Sequence, residues 1–249
     1  MLKVNHVYKS FGEFELNDIH FQVNDGEYFV ILGPTGTGKT IILESIAGMY
    51  NIDKGDIYID DLNITNVLPE NRNIGLVYQS YLLFPHLSVR DNIAFGLKAR
   101  KTKKQDINLV LDEITKMLNI KHLLNRKTNN LSGGERQRVA FARAIVTNPK
   151  ILLLDEVSSA LDPNTKREFQ INLKKIHKKL HTTTIHVTHD FNEALYLADR
   201  IAIINKGRIC EIGTPEDIFN HPKTDFAAKF IYGNNLKYGD EDNEQRQIL

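Results

Sequence analysis

The sequence is poor in cysteine and contains no tryptophan. Cys210 is the one cysteine among 249 residues, which excludes an internal disulfide and a zinc site built from several cysteines. This usage is typical of a protein that works in a reducing compartment such as the cytoplasm. Cys210 falls in a predicted β-hairpin, where we interpret it as a small apolar side chain.

Long hydrophobic runs are missing as well. The strongest apolar runs cover residues 28–32 and 151–154, whereas a helix that crosses a bilayer needs about 20 predominantly apolar residues. The N-terminus is polar and has no apolar stretch ahead of a cleavage site, so we expect no secretory signal. If the protein works at a membrane, we expect another subunit to form the pore.

The chain also lacks an excess of either charge. It has 32 lysines and arginines against 31 aspartates and glutamates, which gives a net charge of +1. No global field would therefore attract nucleic acid or an anionic membrane, and we expect no nucleic-acid partner. The basic run at residues 98–104 is interpreted as a solvated surface turn rather than a lipid contact.

Short apolar strands alternate with amphipathic helices along the chain, which predicts an α/β core with a mostly parallel sheet. A helical period of apolar residues over about residues 88–119 predicts an inserted helical subdomain at about residues 84–147. Strands are predicted at 2–8, 14–23, 28–32, 56–59, 73–78, 151–154, 183–188, 201–205 and 208–212. Further helices are predicted after residue 40 and at 163–180, 191–198, 215–219 and 226–231. The polar stretch that follows residue 233 is predicted to be a mobile tail.

A phosphate-binding loop is predicted at residues 33–40, where GPTGTGKT matches the pattern G-x-x-x-x-G-K-[ST]. Its glycines let backbone N–H groups converge on phosphates, and the following helix turns its positive end toward them. Lys39 would reach the β- and γ-phosphates, and the Thr40 hydroxyl would bind Mg²⁺. The predicted nucleotide-binding residues of this loop are Gly33, Pro34, Thr35, Gly36, Thr37, Gly38, Lys39 and Thr40. A glycine-rich turn without a ligand is the alternative.

Two acids follow the second apolar strand, in ILLLDE at residues 151–156. Open α/β sheets bind ligands at the carboxyl ends of their strands, where these acids would lie. We expect Asp155 to hold Mg²⁺ and Glu156 to polarise the attacking water. The alternative is that these acids mark an ordinary boundary between a strand and a loop. The motif is weak evidence alone and becomes strong evidence together with the phosphate loop.

The segment LSGGE at residues 131–135 has the pattern of a helix start. Ser132 is predicted to be the N-cap residue and Glu135 its capping-box partner. Gly133 and Gly134 in the first turn each cost about 1 kcal/mol relative to alanine. That cost is explained if bare N–H groups must approach an anion closely, although a well-capped helix without a ligand is the simpler interpretation.

These motifs, in this order, resemble the ATP-binding subunits of ABC transporters, and the resemblance covers about residues 1–233. It implies an ABC ATPase core with an N-terminal antiparallel β portion, and ATP and Mg²⁺ as cofactors. It also implies that Gln79 links the γ-phosphate site to the membrane subunits, and that His189 contacts the γ-phosphate. Phe11 would stack on adenine, and SSALD at 158–162 would form the D-loop, with Asp162 near the nucleotide. The implied Mg²⁺ ligands are Thr40, Gln79 and Asp155.

The resemblance further implies an assembly. Two copies would form a head-to-tail homodimer, with ATP between residues 33–40 of one subunit and Ser132, Gly133, Gly134 and Glu135 of the other. Residues 80–101 resemble the surface that receives integral membrane permease subunits at the cytoplasmic face, with a substrate-binding protein engaged indirectly. Close relatives usually have proline after the two acids, and Val157 stands there instead, so the D-loop is expected to be more mobile.

Within the family, the sequence resembles molybdate/tungstate importer ATPases, with sulfate, sugar and polyamine importers as alternatives. Residues 234–249 resemble the start of a C-terminal regulatory domain that such relatives often carry. ATPases of DNA repair and of translation form the second class. They carry a long coiled coil or a zinc module between the phosphate loop and the signature, or a second cassette. The interval between Lys39 and Ser132 is too short and lacks cysteines for the first two, and the single phosphate loop does not fit the third.

The phosphate loop generates a direct prediction. Replacing Lys39 with alanine removes the cation that would contact the β- and γ-phosphates, and we expect nucleotide affinity to fall. A fluorescence titration with ATP measures this, and an undiminished affinity in the Lys39→Ala variant would contradict the role of Lys39.

Overall fold

Two β-sheets with helices packed against them make up the computed structural model, which describes residues 1–238. The strands are β1 Leu2–Phe11, β2 Phe14–Val23, β3 Tyr28–Leu32, β4 Lys54–Ile59, β5 Leu62–Asn63, β6 Ile74–Val77, β7 Ile151–Asp155, β8 Thr183–Thr188, β9 Arg200–Asn205 and β10 Arg208–Gly213. The helices are α1 Lys39–Ala47, α2 Val89–Ala99, α3 Lys104–Met117, α4 Gly133–Ile145, α5 Pro163–Leu180, α6 Phe191–Leu197, α7 Pro215–Asn220 and α8 Asp225–Tyr238.

The larger sheet has the strand order β10-β9-β3-β8-β7-β6. Strands β9, β3, β8, β7 and β6 run parallel, and β10 pairs antiparallel with β9. Every residue of β3, β7 and β8 is buried, because the sheet is covered on both faces. The predicted α/β fold with a mostly parallel sheet is confirmed.

The smaller sheet is antiparallel and has the order β2-β1-β4-β5. Strands β1 and β2 form a hairpin in which Phe11 and Phe14 are paired. Leu16 and then, after an irregularity in the pairing, Ile19, Phe21 and Val23 of β2 are buried in a core shared with β3 and α1. The expected N-terminal antiparallel β portion is therefore present.

Helices α2, α3 and α4 lie within the predicted helical subdomain at residues 84–147. Ile107, Leu111 and Ile114 form the buried stripe of α3. The helical stretch predicted at 88–119 is divided into α2 and α3, and Lys101 takes a positive φ of 57° at the break. The left-handed conformation at Lys101 ends α2 and lets α3 fold back.

The last helix is longer than the sequence predicted. A helix was expected at residues 226–231 and a polar tail from 234, whereas α8 continues through residues 234–238. Phe226 and Phe230 stack with ring centroids 5.7 Å apart, and Phe230 lies 5.0 Å from Phe191. The remaining residues predicted as tail, 239–249, lie outside the described part of the chain. Among the described helices, none combines the length and the apolar character needed to span a bilayer.

Gly207, in the turn between β9 and β10, joins the two sheets to the loop at residues 33–38. Its carbonyl accepts a hydrogen bond of 2.8 Å from Asn17 N–H, and its own N–H donates to Thr37 O at 3.2 Å. Its φ is +71°, and a Cβ atom here would lie 1.8 Å from Glu15 O. Only glycine fits this approach of three backbone segments.

We expect Gly207→Ala to lower the free energy of unfolding by at least about 2 kcal/mol, because it adds a backbone clash to an unfavourable φ. Gly12→Ala is the matched control. Gly12 also has a positive φ, of +61°, but a Cβ there meets no atom within 4 Å, so we expect about 1 kcal/mol. Urea unfolding of both variants measures the difference, and equal losses would contradict this account of Gly207.

Candidate active site

A pocket of about 460 Å³ opens at the carboxyl ends of the parallel strands. The loop after β3, the end of β7 and the residue after β8 meet there, as expected for ligand sites of open α/β sheets. The lining residues are Phe14, Thr35, Gly36, Gly38, Lys39, Thr40, Ile41, Gln79, Glu156 and His189. The structure thus brings together eight of the residues that the sequence indicated, from four separate segments of the chain.

The loop after β3 owes its shape to glycines with positive φ. Gly36 and Gly38 have φ values of +81° and +96°, which L-residues with a side chain rarely adopt. A Cβ atom on Gly38 would also lie 2.5 Å from Phe14 Cζ. The Thr37 hydroxyl closes the loop by donating to Pro34 O at 2.8 Å. The first turn of α1 follows at once, so its N-terminal N–H groups face the same side.

Lys39 provides a buried positive charge beneath the loop. Its Nζ donates to Gly33 O at 2.8 Å and to Pro34 O at 2.9 Å, and it lies 3.6 Å from Glu156 Oε1. Burial lowers the pKa of Lys39 below its usual range, and the nearby Glu156 carboxylate opposes that shift. A buried ammonium group next to converging N–H groups is suited to bind a phosphate chain.

Asp155 and Thr40 form the part of the site that could hold a divalent cation. The Thr40 hydroxyl lies 3.1 Å from both carboxylate oxygens of Asp155. Burial raises the pKa of Asp155 to about 6, and the Thr40 hydrogen bond opposes the shift. Oxygen ligands and a desolvated carboxylate fit Mg²⁺, which usually takes few protein ligands and completes its shell with phosphates and water. No group of three His, Cys, Asp or Glu side chains in residues 1–238 forms a separate metal site.

Glu156 lies at the wall of the pocket, between the side chains of Lys39 and His189. Besides Lys39, it contacts His189, whose Nδ1 is 3.1 Å from Glu156 Oε2. Glu156 has a positive φ of 44°, an uncommon conformation for a residue other than glycine. Its N–H donates to Val187 O at 3.0 Å, which fixes this strained turn directly after β7. Strain of this kind often occurs where a side chain must be aimed at a reacting group.

Gln79 reaches the pocket from the loop after β6. Its Nε2 donates to Ser159 Oγ at 3.1 Å, and Ser159 Oγ in turn donates to Glu156 O at 2.8 Å. The glutamine is thus tied to the first residues after the catalytic candidate Glu156. Val157, where relatives usually have proline, is fully buried, and its carbonyl accepts 2.6 Å from Gln137 Nε2.

Other predicted residues lie away from this pocket. The capping box between Ser132 and Glu135 is confirmed, and a Cβ on Gly133 would meet only open space. Asp162 caps α5 by accepting from Thr165 N–H at 3.1 Å. The N-terminus of α4, including Gly134, is absent from the lining of the pocket in the described chain. These residues therefore do not line the pocket beside the phosphate loop of their own subunit.

The β1–β2 hairpin carries the predicted Phe11 and a second aromatic residue, Phe14. Phe11 is 47% exposed and touches Tyr50 edge-on, with ring centroids 5.1 Å apart. Phe14, its partner across the hairpin, lines the pocket together with Ile41, and the sequence analysis named neither. The F-G-E-F spacing around a turn is the signal that could have indicated a pair of aromatic residues here.

Comparison with known proteins defines the class. Residues 16–159 match the family model described as ABC transporter. The chain is 46% identical to the molybdate/tungstate import ATP-binding protein of Pyrococcus abyssi, over 96% of this chain and 70% of that protein. It is also 46% identical to the spermidine/putrescine import ATP-binding protein of Bacteroides thetaiotaomicron, over 96% of this chain and 52% of that protein. A solved dimeric ATP-binding cassette with ADP and Pi superposes with a TM-score of 0.78 at 31% identity, covering 86% of this chain and 99% of that one.

The chain therefore belongs to the family of ABC transporter ATP-binding proteins, as the motifs indicated. Within that family it is an ATPase that couples ATP hydrolysis to transport, since its relatives are ATP-binding subunits of importers and its fold is that of an ABC cassette.

The raised pKa of Asp155 generates a prediction about pH. Because the folded pKa of about 6 lies above the ordinary aspartate pKa of 3.8, the folded state holds this proton more tightly. The resulting stabilisation is complete below pH 4 and is lost as the pH rises through 6. Without divalent cations, we expect the wild type to lose about 2 kcal/mol relative to Asp155→Asn between pH 4 and pH 7.5, since one pKa unit is about 1.4 kcal/mol.

Urea unfolding in EDTA across this pH range measures the difference. Asp60→Asn is the control for which we expect the pH dependence of stability to have the opposite sign, because Lys150 lowers the pKa of Asp60 to about 2. Parallel pH profiles for the wild type and Asp155→Asn would contradict the assignment.

Proposed function

We propose that the chain is the motor subunit of an ABC importer that takes up an oxyanion, with molybdate or tungstate as the substrate. The observation that carries the motor role is the placement of Glu156 between Lys39 and His189 at the wall of the phosphate pocket. Support for the substrate comes from relatives. Three molybdate/tungstate import proteins of archaea match at 44–46% identity over 96% of this chain.

Sulfate, sugar and polyamine uptake are the competing substrates. A sulfate/thiosulfate import protein of Nocardia farcinica is 43% identical over 93% of this chain, and the polyamine relative reaches 46%. Sequence identity of the ATPase subunit discriminates only weakly between these substrates, because the permease and the binding protein determine which molecule is transported. The substrate assignment thus has to be tested in the assembled complex.

In the proposed reaction, the backbone N–H groups of the phosphate loop and Lys39 bind the β- and γ-phosphates of ATP. Lys39 exchanges its contacts with the Gly33 and Pro34 carbonyls for phosphate oxygens. Thr40, Asp155 and Gln79 would hold Mg²⁺, which supplies positive charge to the β- and γ-phosphate oxygens. Residues Gly36, Thr37 and Gly38 keep the loop open around the anion.

Glu156 accepts a proton from the water that attacks the γ-phosphate. His189 holds the Glu156 carboxylate in place through its 3.1 Å contact with Oε2 and would itself contact the γ-phosphate. The strained backbone at Glu156 aims its carboxylate toward the water rather than into the sheet. Gln79 transmits a structural change at this site to the loop that follows it in the chain.

The second half of the nucleotide site comes from another copy of the chain. Ser132, Gly133, Gly134 and Glu135 form a helix start that lies outside their own subunit's pocket. With no side chain on Gly133, the first N–H groups of α4 can approach a γ-phosphate closely. A head-to-tail homodimer would enclose ATP between this helix start and the phosphate loop of the partner, with Asp162 near the interface, and would exclude water. Phe11, partly exposed beside Tyr50, would contact the adenine ring.

A permease is proposed to dock on the segment after Gln79. Leu82 is 54% exposed and Phe95 is 48% exposed, although both are large and apolar. Arg143 holds this segment by donating to Tyr81 O at 3.0 Å and to Leu82 O at 2.8 Å. The surface would meet permease subunits at the cytoplasmic face of the membrane, and a substrate-binding protein would act through them.

ATPase activity in a reconstituted complex tests the proposal. The full chain is assembled with its permease in liposomes, and loaded binding protein is added with molybdate, tungstate, sulfate, a sugar or spermidine. We expect molybdate and tungstate to stimulate ATPase activity most. Glu156→Gln is the control for coupling. It should still bind ATP but hydrolyse it at least ~100-fold more slowly, because it lacks the general base.

Two results would overturn the proposal. Stimulation by a sugar or spermidine alone would reject oxyanion uptake while leaving the motor role intact. Near-normal turnover by Glu156→Gln would reject the assignment of Glu156.

A further inference from the structure

A buried glutamate lies directly beneath the active site and takes no part in the reaction proposed above. Glu193 is in the first turn of α6 and is 1% exposed. Its N–H donates to the N-cap residue Asp190, at 2.9 Å from Oδ1. Burying a carboxylate is costly unless its oxygens are hydrogen-bonded, so its partners explain why it is there.

Two hydroxyl groups from different loops donate to this one carboxylate. Ser158 Oγ lies 2.6 Å from Glu193 Oε1, and Thr188 Oγ1 lies 2.7 Å from Glu193 Oε2. Both distances are those of strong hydrogen bonds between a hydroxyl and a carboxylate. Gln170 Nε2, from α5, approaches Oε1 at 3.5 Å. Glu193 therefore joins the loop after β7 to the end of β8.

A cation does not balance the charge of Glu193. In the described part of the chain its one ion-pair contact is His186, with Nε2 at 3.7 Å from Oε2. Burial lowers the pKa of His186 below its usual range, so the ring is neutral. The other ring nitrogen, Nδ1, is 3.0 Å from Tyr28 OH. Hydroxyl donors and the positive end of α6 are thus what stabilise the carboxylate, and its geometry is sensitive to both hydroxyls.

Each hydroxyl belongs to a residue that precedes a residue of the active site. Thr188 precedes His189, which contacts Glu156 Oε2 at 3.1 Å. Ser158 precedes Ser159, whose hydroxyl accepts from Gln79 Nε2 at 3.1 Å. Glu193 thereby sets the spacing between the His189 side and the Gln79 side of Glu156, without touching the pocket itself.

We propose that Glu193 is a positioning residue for ATP hydrolysis, which holds the loop at 158–159 and the histidine at 189 in register on either side of Glu156. The inference rests on the proposed roles of Glu156 and His189. It assigns to Glu193 an effect on turnover and none on nucleotide binding, because the phosphate loop at residues 33–40 has no bond to it among those described.

Glu193→Gln tests the proposal with the smallest change of shape. The amide has one acceptor oxygen in place of two, so one hydroxyl must lose the oxygen to which it donates. Thr188 Oγ1 already accepts from Asp190 N–H at 3.1 Å and would be left with a buried, unpaired proton. We expect kcat for MgATP hydrolysis by the purified full chain to fall about 10-fold, with KM for ATP unchanged within about 2-fold.

Glu211→Gln is the matched control. Glu211 is also buried, at 7% exposure, and it accepts hydrogen bonds from Lys223 N–H at 3.0 Å and Thr224 N–H at 3.2 Å, on the far side of β10. Its substitution should reduce thermal stability to a similar degree and leave kcat within about 2-fold of the wild type. Ser158→Ala and Thr188→Val each remove one hydroxyl and keep the carboxylate, so they replace Glu193→Gln if that variant does not fold.

A double-mutant cycle with His189→Ala distinguishes positioning of His189 from a general effect on stability. The measured quantity is the kcat of the double variant compared with those of the two single variants. If Glu193 acts by placing His189, the double variant should turn over nearly as fast as His189→Ala alone. Three results would each overturn the inference: a normal kcat in Glu193→Gln, equal losses of kcat in Glu193→Gln and Glu211→Gln, or fully additive losses with His189→Ala. Failure of the proposed function is distinguishable, since it would appear as normal turnover in Glu156→Gln.

Discussion

The hydrogen-bonded register of three buried parallel strands fixes the active site. In the central part of the sheet, Leu32 of β3 is paired with Thr188 of β8, and Val187 of β8 is paired with Asp155 of β7. The next residue after each strand is therefore held at the same edge, and these residues are Gly33, His189 and Glu156. A shift of one residue in either pairing would exchange the two faces of the strand and move these three positions out of line with one another.

Burial of ionisable side chains at this edge of the sheet is energetically unfavourable. Asp155 and Lys39 both have pKa values displaced toward the neutral form by burial, and Glu156 has an uncommon backbone conformation. In the proposed reaction, phosphate oxygens at Lys39 and a divalent cation at Asp155 would favour the charged forms of both groups and so oppose the effect of burial. Part of the free energy of ligand binding would then come from an unfavourable feature of the unliganded fold, a trade-off between stability and function.

Much of the fold could be predicted because central strands such as those at 28–32 and 151–155 are short, almost entirely apolar and followed by glycine or an acidic residue. The phosphate loop and the two acids could be named because each stands at the end of such a strand. His189 follows the more polar strand 183–188 and could be named only through the resemblance to the ABC family. Sequence reasoning missed Phe14, since contact with the pocket depends on how the β1–β2 hairpin folds over the loop. It also missed the end of α8, because the stretch after residue 233 is polar and was predicted as a tail.

Glu193 illustrates a deeper reason for such misses. In the sequence it is an acid in the first turn of a helix, and helix capping explains that position fully. Its second role appears only when the strands bring Ser158 and Thr188 to it from distant parts of the chain. Local patterns therefore reveal groups that act on a ligand, and they conceal groups that hold those groups in place.

The turn at Gly207 has a consequence for how the subunit can move. Its backbone is hydrogen-bonded both to Thr37 in the phosphate loop and to Asn17 in the antiparallel sheet, which links these two parts of the chain. The hairpin that carries Phe11 and Phe14 belongs to that sheet. If the phosphate loop holds one end of a nucleotide and Phe11 the other, as proposed, these hydrogen bonds set the distance between the two contacts. Such a link would act as a fixed gauge for the length of the nucleotide, and closure of the site would then require movement of other parts of the protein.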